Sequence, residues 1–158
     1  MSAGEYTLWQ HNPKDINWSI ESYNNLYTIT NDDEFWCIYN LLNTECLKYN
    51  MLFLMKKNIY PIWEHPCNKN GSTISLKIVY KDIYSSWIEL SMALFGNYIC
   101  KNPEENEIIN GISISPKKGF CIVKIWLSNN IDRKIEYNNN IKNLDFKNAI
   151  YKQHYQSS

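Results

Sequence analysis

The chain has 158 residues, 44% of them hydrophobic and 15% aromatic, and its 16 basic and 16 acidic side chains cancel to a formal net charge of +0. That length and apolar content are enough to bury a core, exclude a disordered chain and predict a single domain over 1–158. The balanced charge excludes a protein that grips nucleic-acid duplexes through a global basic field, so any anion contact has to come from a local patch.

Taken in chain order, Tyr6, Leu8 and Trp9 open an extended segment, and 26–30 (LYTIT) reads as a second strand from its β-branched and aromatic content. Asn31-Asp32-Asp33-Glu34 marks a helix start, with cap candidates and acids suited to the positive end of the dipole. Phe35, Ile38, Tyr39, Leu42 and Cys46 then recur at core spacing along one helix, while Trp36 falls about 100° off that stripe. Residues 51–55 read as strand, 68–71 (NKNG) as a turn and 73–80 as strand. Asp82 is expected to cap a long helix that reaches about Phe95 and is stopped by Gly96. The acidic run 104–107 (EENE) reads as a loop. Strands over 111–115 and 120–127 form a hairpin about Pro116-Lys117-Lys118-Gly119. The Asn-rich tail from Ser128 predicts a short helix and a last strand near 149–151. The pattern is α+β with a mostly antiparallel sheet.

The five cysteines (Cys37, Cys46, Cys67, Cys100, Cys121) are odd in number, scattered, and form no CxxC pair. This argues against a disulfide framework or a structural zinc site and for small core side chains in a reducing compartment. No signal-type run and no apolar stretch of membrane-spanning length occurs, so the expectation is a cytoplasmic protein without a membrane partner. The histidines His11, His65 and His154 have no nucleophile at motif spacing, and the five glycines make no phosphate-cradling loop. No catalytic residues, no metal and no cofactor are expected, and the chain reads as a non-enzyme.

The most informative stretch is Pro61-Ile62-Trp63-Glu64, together with the lone upstream Trp18. An indole stacks on a ring face, and a carboxylate beside it accepts hydrogen bonds from donors on the ring edge. A second indole on the opposite face makes a sandwich of two electron-rich rings, which favours a positively charged base by ~0.5–2 kcal/mol per ring. The natural guanine with that property is 7-methylguanine. Trp18, between Asn17 and Ser19, reads as a loop residue; Trp9 and Trp87 read as core. The helix from Asp82 carries two apolar stripes, one through Ile83, Trp87, Leu90 and Leu94 and one through Ile88, Met92 and Phe95. A helix lying on a sheet needs only one. Two arrangements satisfy this: an exposed apolar patch shared with Trp36 and fit for a partner, or a thick core that takes both stripes.

In order along the chain, Tyr6-Thr7-Leu8-Trp9, Trp18, Asp33-Glu34-Phe35-Trp36, Ile59-Tyr60-Pro61-Ile62-Trp63-Glu64, Trp87-Ile88-Glu89, Gly96, Gly111 and Ile125-Trp126 resemble the eukaryotic translation initiation factor 4E family of mRNA cap-binding proteins, over nearly the whole length. The resemblance implies a curved antiparallel sheet with long helices packed on its convex face and the cap held on the concave face. It implies that Trp18 and Trp63 sandwich the methylated base, that Glu64 accepts from guanine N1–H and N2–H2, and that Trp126 lies beside the N7-methyl group. Such a charge-assisted pair of contacts selects guanine over adenine. For the triphosphate the resemblance points to Lys117 and Lys118 in the hairpin turn and to Lys124, two residues before Trp126 on the same strand face. A strand position that is lysine in the family holds Ile122 or Cys121 here, and Lys117 and Lys118 also suit a solvated hairpin tip.

The helical patch maps onto the family's convex site for scaffolds and repressors that carry a Tyr-x-x-x-x-Leu-type helix, with Trp36, Ile88, Glu89, Met92 and Gly96 as its residues. Asp32 stands where the family has an apolar residue, and the arm before Tyr6 is short, which implies a divergent partner or a reduced interface. A short C-terminal region likewise implies one fewer loop near the phosphates. The abundance of Asn, Lys, Ile and Tyr fits an AT-rich genome, viral or parasite. Three functions stay open: a monomeric initiation factor that binds capped mRNA and recruits a scaffold, a cap-binding repressor that sequesters transcripts, and an interaction module of the same fold without cap binding.

Overall fold

A computed structural model describes residues 4–129, 135–138, 141 and 143–154; the stretch of the Asn-rich tail at 130–134, and positions 139, 140 and 142, lie outside the described residues. Seven strands form one curved, open sheet: β1 (Tyr6–His11), β2 (Asn24–Ile29), β3 (Met51–Lys56), β4 (Ser72–Val79), β5 (Ile109–Pro116), β6 (Phe120–Leu127) and β7 (Ile150–Gln153). Their order across the sheet is β2-β1-β3-β5-β6-β4-β7, and each of these pairings is antiparallel. The helices are α1 (Asp32–Tyr39), α2 (Thr44–Tyr49), α3 (Pro66–Lys69) and α4 (Ile83–Phe95). Among the described residues no helix is long and apolar enough to cross a membrane.

Alternation along the strands sorts side chains between two faces. In β4, Ile74, Leu76 and Ile78 are buried towards the helices, while Ser75, Lys77 and Val79 on the other face are less buried. The main core is built from the first set and from Phe35 and Tyr39 of α1 and Ile83, Trp87, Leu90, Leu94 and Phe95 of α4. Phe35 is its hinge: it stacks on Tyr39 at 4.2 Å and on Phe95 at 5.4 Å. The Tyr39 hydroxyl donates to Ser91 Oγ at 2.8 Å, which satisfies both buried hydroxyls. A smaller apolar cluster of Trp9, Tyr23, Phe53, Met55 and Trp126 occupies the opposite face. Trp9 and Trp87 are both buried, as their patterns predict, but on opposite sides of the sheet.

Four local expectations are corrected. The helix expected to run through Leu42 and Cys46 is two helices: α1 ends at Tyr39, and Asn43 starts α2 with its side chain accepting from Cys46 N–H at 2.8 Å. Asparagine at a cap satisfies an orphan N–H better than it serves a helix interior, so the break falls there although the apolar period continues. Of the turn expected at 68–71, Asn68 and Lys69 instead end the helix α3, which has Pro66 in its first turn. The acidic run lies in a 3-10 helix, Pro103–Ile108, with Asn102 Oδ1 accepting from Glu104 N–H and Glu105 buried. Gly96 ends α4 as expected, at φ −91°, and the left-handed residue is its neighbour Asn97 at φ 61°. Asp82 does precede α4, after a 3-10 turn over Tyr80–Asp82, but its side chain makes no cap bond. The expected hairpin is present, with Gly119 at φ 81° turning β5 into β6. So are the short 3-10 helix Phe146–Asn148 and the final strand β7.

Candidate functional site

On the face opposite the helices, neighbouring strands place one row of side chains across the sheet: Trp9 pairs with Phe53, Phe53 with Ser113, Ser113 with Lys124 and Lys124 with Ser75. Trp126, two residues from Lys124, lies on the same face. Its indole Nε1–H donates to Ser113 Oγ at 3.0 Å and its ring meets Phe53 edge-on at 6.3 Å. These contacts fix Trp126 as a floor. Two loops rise from the floor as walls.

The first wall is the segment between β1 and β2, which carries Trp18 with half of its surface exposed. Its indole stacks on the buried His11 ring at 4.3 Å and 12°. His11 Nε2 lies 2.8 Å from the Asn17 carbonyl and 3.1 Å from Ser22 Oγ. Because a carbonyl only accepts, Nε2 carries the proton. His11 thus supports Trp18 from behind and ties down the residue before it.

The second wall, between β3 and α3, carries Trp63, 49% exposed, and the exposed Glu64. The fully buried Asn68 organises it: Asn68 Nδ2 donates to the carbonyls of Tyr60 (3.0 Å) and Ile62 (2.9 Å), on the near side of Trp63. Asn68 Oδ1 accepts from Asn110 Nδ2 at 2.9 Å, which also donates to the Cys67 carbonyl, and His154 Nδ1 reaches the Asn68 carbonyl at 2.6 Å. Gly71 lets the chain re-enter the sheet, since a Cβ there would come to 2.0 Å from the Leu127 carbonyl. Asn68→Ala strands two carbonyls and Asn110, and is expected to destabilise the fold by roughly 2 kcal/mol. A drop in thermal midpoint with faster amide exchange over 60–65 would register it; a slow, unchanged loop would remove Asn68 from this role.

Between the walls lies a cleft of about 410 Å³. The structure brings Trp18, Trp63, Glu64, Trp126, Lys117 and Lys124 to it; Lys118 is exposed at the turn and does not line it. Tyr23, Met51, Phe53 and Ser113 line it too, and the sequence reading did not name them for a site. For Met51, Phe53 and Ser113 the signal is the period-two alternation of β3 and β5, usable only with the strand order in hand, and Tyr23 lies just before β2.

The charges divide across the cleft. Burial pushes the Tyr23 hydroxyl up to about 12, and the nearby Glu64 carboxylate adds to the shift, so acid and phenol face one another. At the other end, burial lowers Lys124 below the ordinary lysine value, helped by the like charges of Lys117 and Lys152. His154, whose ring lies 5.3 Å from that of Trp126, is lowered chiefly by burial. A slot with two indole walls, an anionic rim and a cationic end suits a flat ring with donors on its edge and an anionic tail.

On the helical face Trp36 is 38% exposed and meets Phe35 edge-on at 5.1 Å. Ile88, Glu89 and Met92 are half-buried along α4, and the Tyr98 ring covers Gly96 so closely that a Cβ would fall 2.8 Å from it. The two-stripe question resolves residue by residue: Phe95 belongs to the core, while Ile88 and Met92 border it.

An open antiparallel sheet with helices packed on one face is a fold shared with solved cap-complexed initiation factors. The Ascaris suum eIF4E-3 complex with an m7G cap superposes with a TM-score of 0.73 at 19% identity, over 83% of this chain and 74% of that one. A schistosome eIF4E complexed with m7GpppG and 4E-BP gives 0.73 at 23% identity, over 83% and 73%. The sequence model of the family described as "Eukaryotic initiation factor 4E" matches residues 3–158, and the chain belongs to that family. Arabidopsis thaliana initiation factor 4E-2 is 29% identical over 105 residues, 63% of this chain and 43% of the relative. The Dictyostelium discoideum factor is 27% identical over 133 residues, 82% of this chain and 50% of that one. A mimivirus homologue is 33% identical over 69 residues, 44% of this chain and 25% of its own length. The chain thus spans about half the length, or less, of these relatives.

Proposed function

We propose that this chain is a monomeric, cytoplasmic cap-binding domain that holds the 7-methylguanosine triphosphate end of mRNA and recruits a helical partner to start translation. It acts by binding and not by catalysis. The observation that carries this is the cleft itself: two half-exposed indoles, Trp18 and Trp63, with Glu64 at the rim, Trp126 as floor and Lys117 and Lys124 at the far end. Support also comes from the cap analogues and the 4E-BP present in structures of the same fold. The retained cleft disfavours an interaction module without cap binding.

In this reading the base slides between Trp18 and Trp63, its positive charge spread over both rings. Glu64 accepts from its N1–H and N2–H2 edge, Trp126 packs against the methyl group, and the lysines take the phosphates. Binding of a 7-methylguanosine triphosphate analogue should exceed that of GTP by at least about tenfold, about 1.4 kcal/mol, followed as quenching of tryptophan fluorescence. Equal affinity for the two nucleotides would sink the proposal.

His11 enters as the support of Trp18. His11→Ala removes both the ring behind the indole and the bond to the Asn17 carbonyl, and should weaken analogue binding about tenfold by freeing a wall that has to be ordered again on binding. His11→Phe restores the ring alone and should recover part of the loss. If His11→Ala binds like wild type, Trp18 does not depend on the ring behind it.

A further inference from the structure

Beyond the cleft, the open face of the sheet carries more positive charge than a base pocket uses. Trp126 on β6 pairs with Thr73 on β4, which pairs with Lys152 on β7. In the next row Lys124 pairs with Ser75 and Ser75 with Ile150; in the row after that Ile122 pairs with Lys77. Paired residues share a face, so Lys77, Lys124 and Lys152 all project from the cleft side. At about 4.8 Å between strands, Lys77 stands about 5 Å and Lys152 about 10 Å to the side of β6. Lys77 and Lys152 are exposed and neither lines the cleft.

The strip is purely cationic. β4, β6, β7 and the turn at 117–119 contain no Asp or Glu. The ion pairs among the described residues involve Lys48, Lys57 and Lys101, and none of the strip lysines. In a chain whose charges sum to +0, this is a local segregation of one sign. Lys77 is held in place, its ammonium 4.4 Å over the Phe120 ring. The half-buried Ser75 pairs with Lys124 and supplies a hydroxyl beside it. Burial first, and then the like charges of Lys117 and Lys152, lower the proton affinity of Lys124, as expected where these lysines share one field.

We propose that Lys77 and Lys152, with Ser75, extend the cationic end at Lys124 and bind the phosphodiester backbone of the RNA nucleotides that follow the cap, leading the chain out of the cleft across β4 towards β7. This rests on the cap-binding reading for the location of the RNA 5′ end. Cations flanking a hydroxyl along a sheet face position a backbone and take no account of sequence. Binding along it is therefore salt-dependent and indifferent to base identity.

The test compares three ligands on wild type and on Lys77→Ala/Lys152→Ala: 7-methylguanosine triphosphate, a capped ten-nucleotide RNA, and the same RNA with an uncapped 5′ triphosphate. Wild type should bind the capped RNA several-fold more tightly than the mononucleotide. The double variant should lose that gain while keeping mononucleotide affinity within about twofold, and its salt slope for capped RNA should fall by about 1.4, or 0.7 per lost contact to a single strand. Scrambling the RNA sequence should change nothing. The proposal is overturned if wild type gains nothing from the added nucleotides, or if the double variant keeps the gain. If the mononucleotide does not bind at all but uncapped RNA binds and is weakened in the double variant, the strip stands and the base-pocket reading falls.

Discussion

Glu64→Ala is expected to weaken binding of 7-methylguanosine triphosphate by more than about thirtyfold, some 2 kcal/mol or above, with the fold left intact. A charged acceptor that meets two donors of a desolvated ring edge is worth more than a neutral pair, and its loss leaves both donors unpaired inside the slot. Glu64→Gln should be nearly as poor, because its amide supplies one acceptor and turns a donor against a donor edge. Glu64 is exposed in the free protein and makes no bond that holds the loop, which Asn68 fixes instead, so stability should change little. Isothermal calorimetry gives the binding loss and thermal melting gives the control. Tyr23 supplies an independent reporter: the Glu64 charge is the lesser cause of its raised value, so removing that charge should lower the phenol's titration slightly while burial keeps it high. Either variant binding within twofold of wild type would take Glu64 out of the site.

Which parts of this molecule could be read from residues alone follows from how local each part is. Trp63 and Glu64 are chain neighbours, so their pairing is visible in four letters, and Trp126 with Lys124 is visible through strand alternation. Trp18 is legible through its place in an ordered tryptophan series. Phe53 and Ser113 are not, because they come to the cleft through the order β1-β3-β5-β6, which no local pattern encodes, and Tyr23 comes to it from the segment just before β2. His11 is the sharpest case. A lone histidine at the end of a strand reads as ordinary, and only its 4.3 Å stack beneath Trp18 gives it a task. Lys152 reaches the strip because β7 pairs with β4, a contact made after the tail at 130–142.

The helix misread has a different origin. Phe35, Tyr39, Leu42 and Cys46 keep an unbroken helical period, and periodicity is blind to a break that preserves phase. Asn40 closes α1 through its backbone N–H, and Asn43 opens α2 by accepting from Cys46 N–H with its side chain, a local competition that apolar spacing does not register. Phe95 settles for its own position what its stripe leaves open between surface and core: Phe35 and Tyr6 lie against it, so tertiary packing takes it into the core.

Trp36→Ala is expected to abolish capture of an amphipathic helical partner while leaving cap binding unchanged. Trp36 follows Phe35 on α1 and is the large ring that the core leaves 38% exposed, braced edge-on by Phe35. Phe35 itself stacks on Phe95 at the end of α4, the helix that carries the half-buried Ile88 and Met92. A helix laid in such a groove anchors through a few apolar side chains, and a buried aromatic contact of this kind commonly carries about 2 kcal/mol or more. Asp32 and Asp33 in the first turn of α1 set the polar rim, favouring a peptide with Lys or Arg at that end. The groove and the cleft lie on opposite faces of the sheet, so loss at one leaves the other standing. The measurement is binding of a synthetic Tyr-x-x-x-x-Leu helix, with and without basic residues at its end, to wild type and Trp36→Ala held on cap-analogue resin. Retention of both proteins on the resin with peptide recovered only by wild type is the expected result. Equal peptide recovery would mean that Trp36 serves the α1 packing alone and that the helical face takes its partner elsewhere.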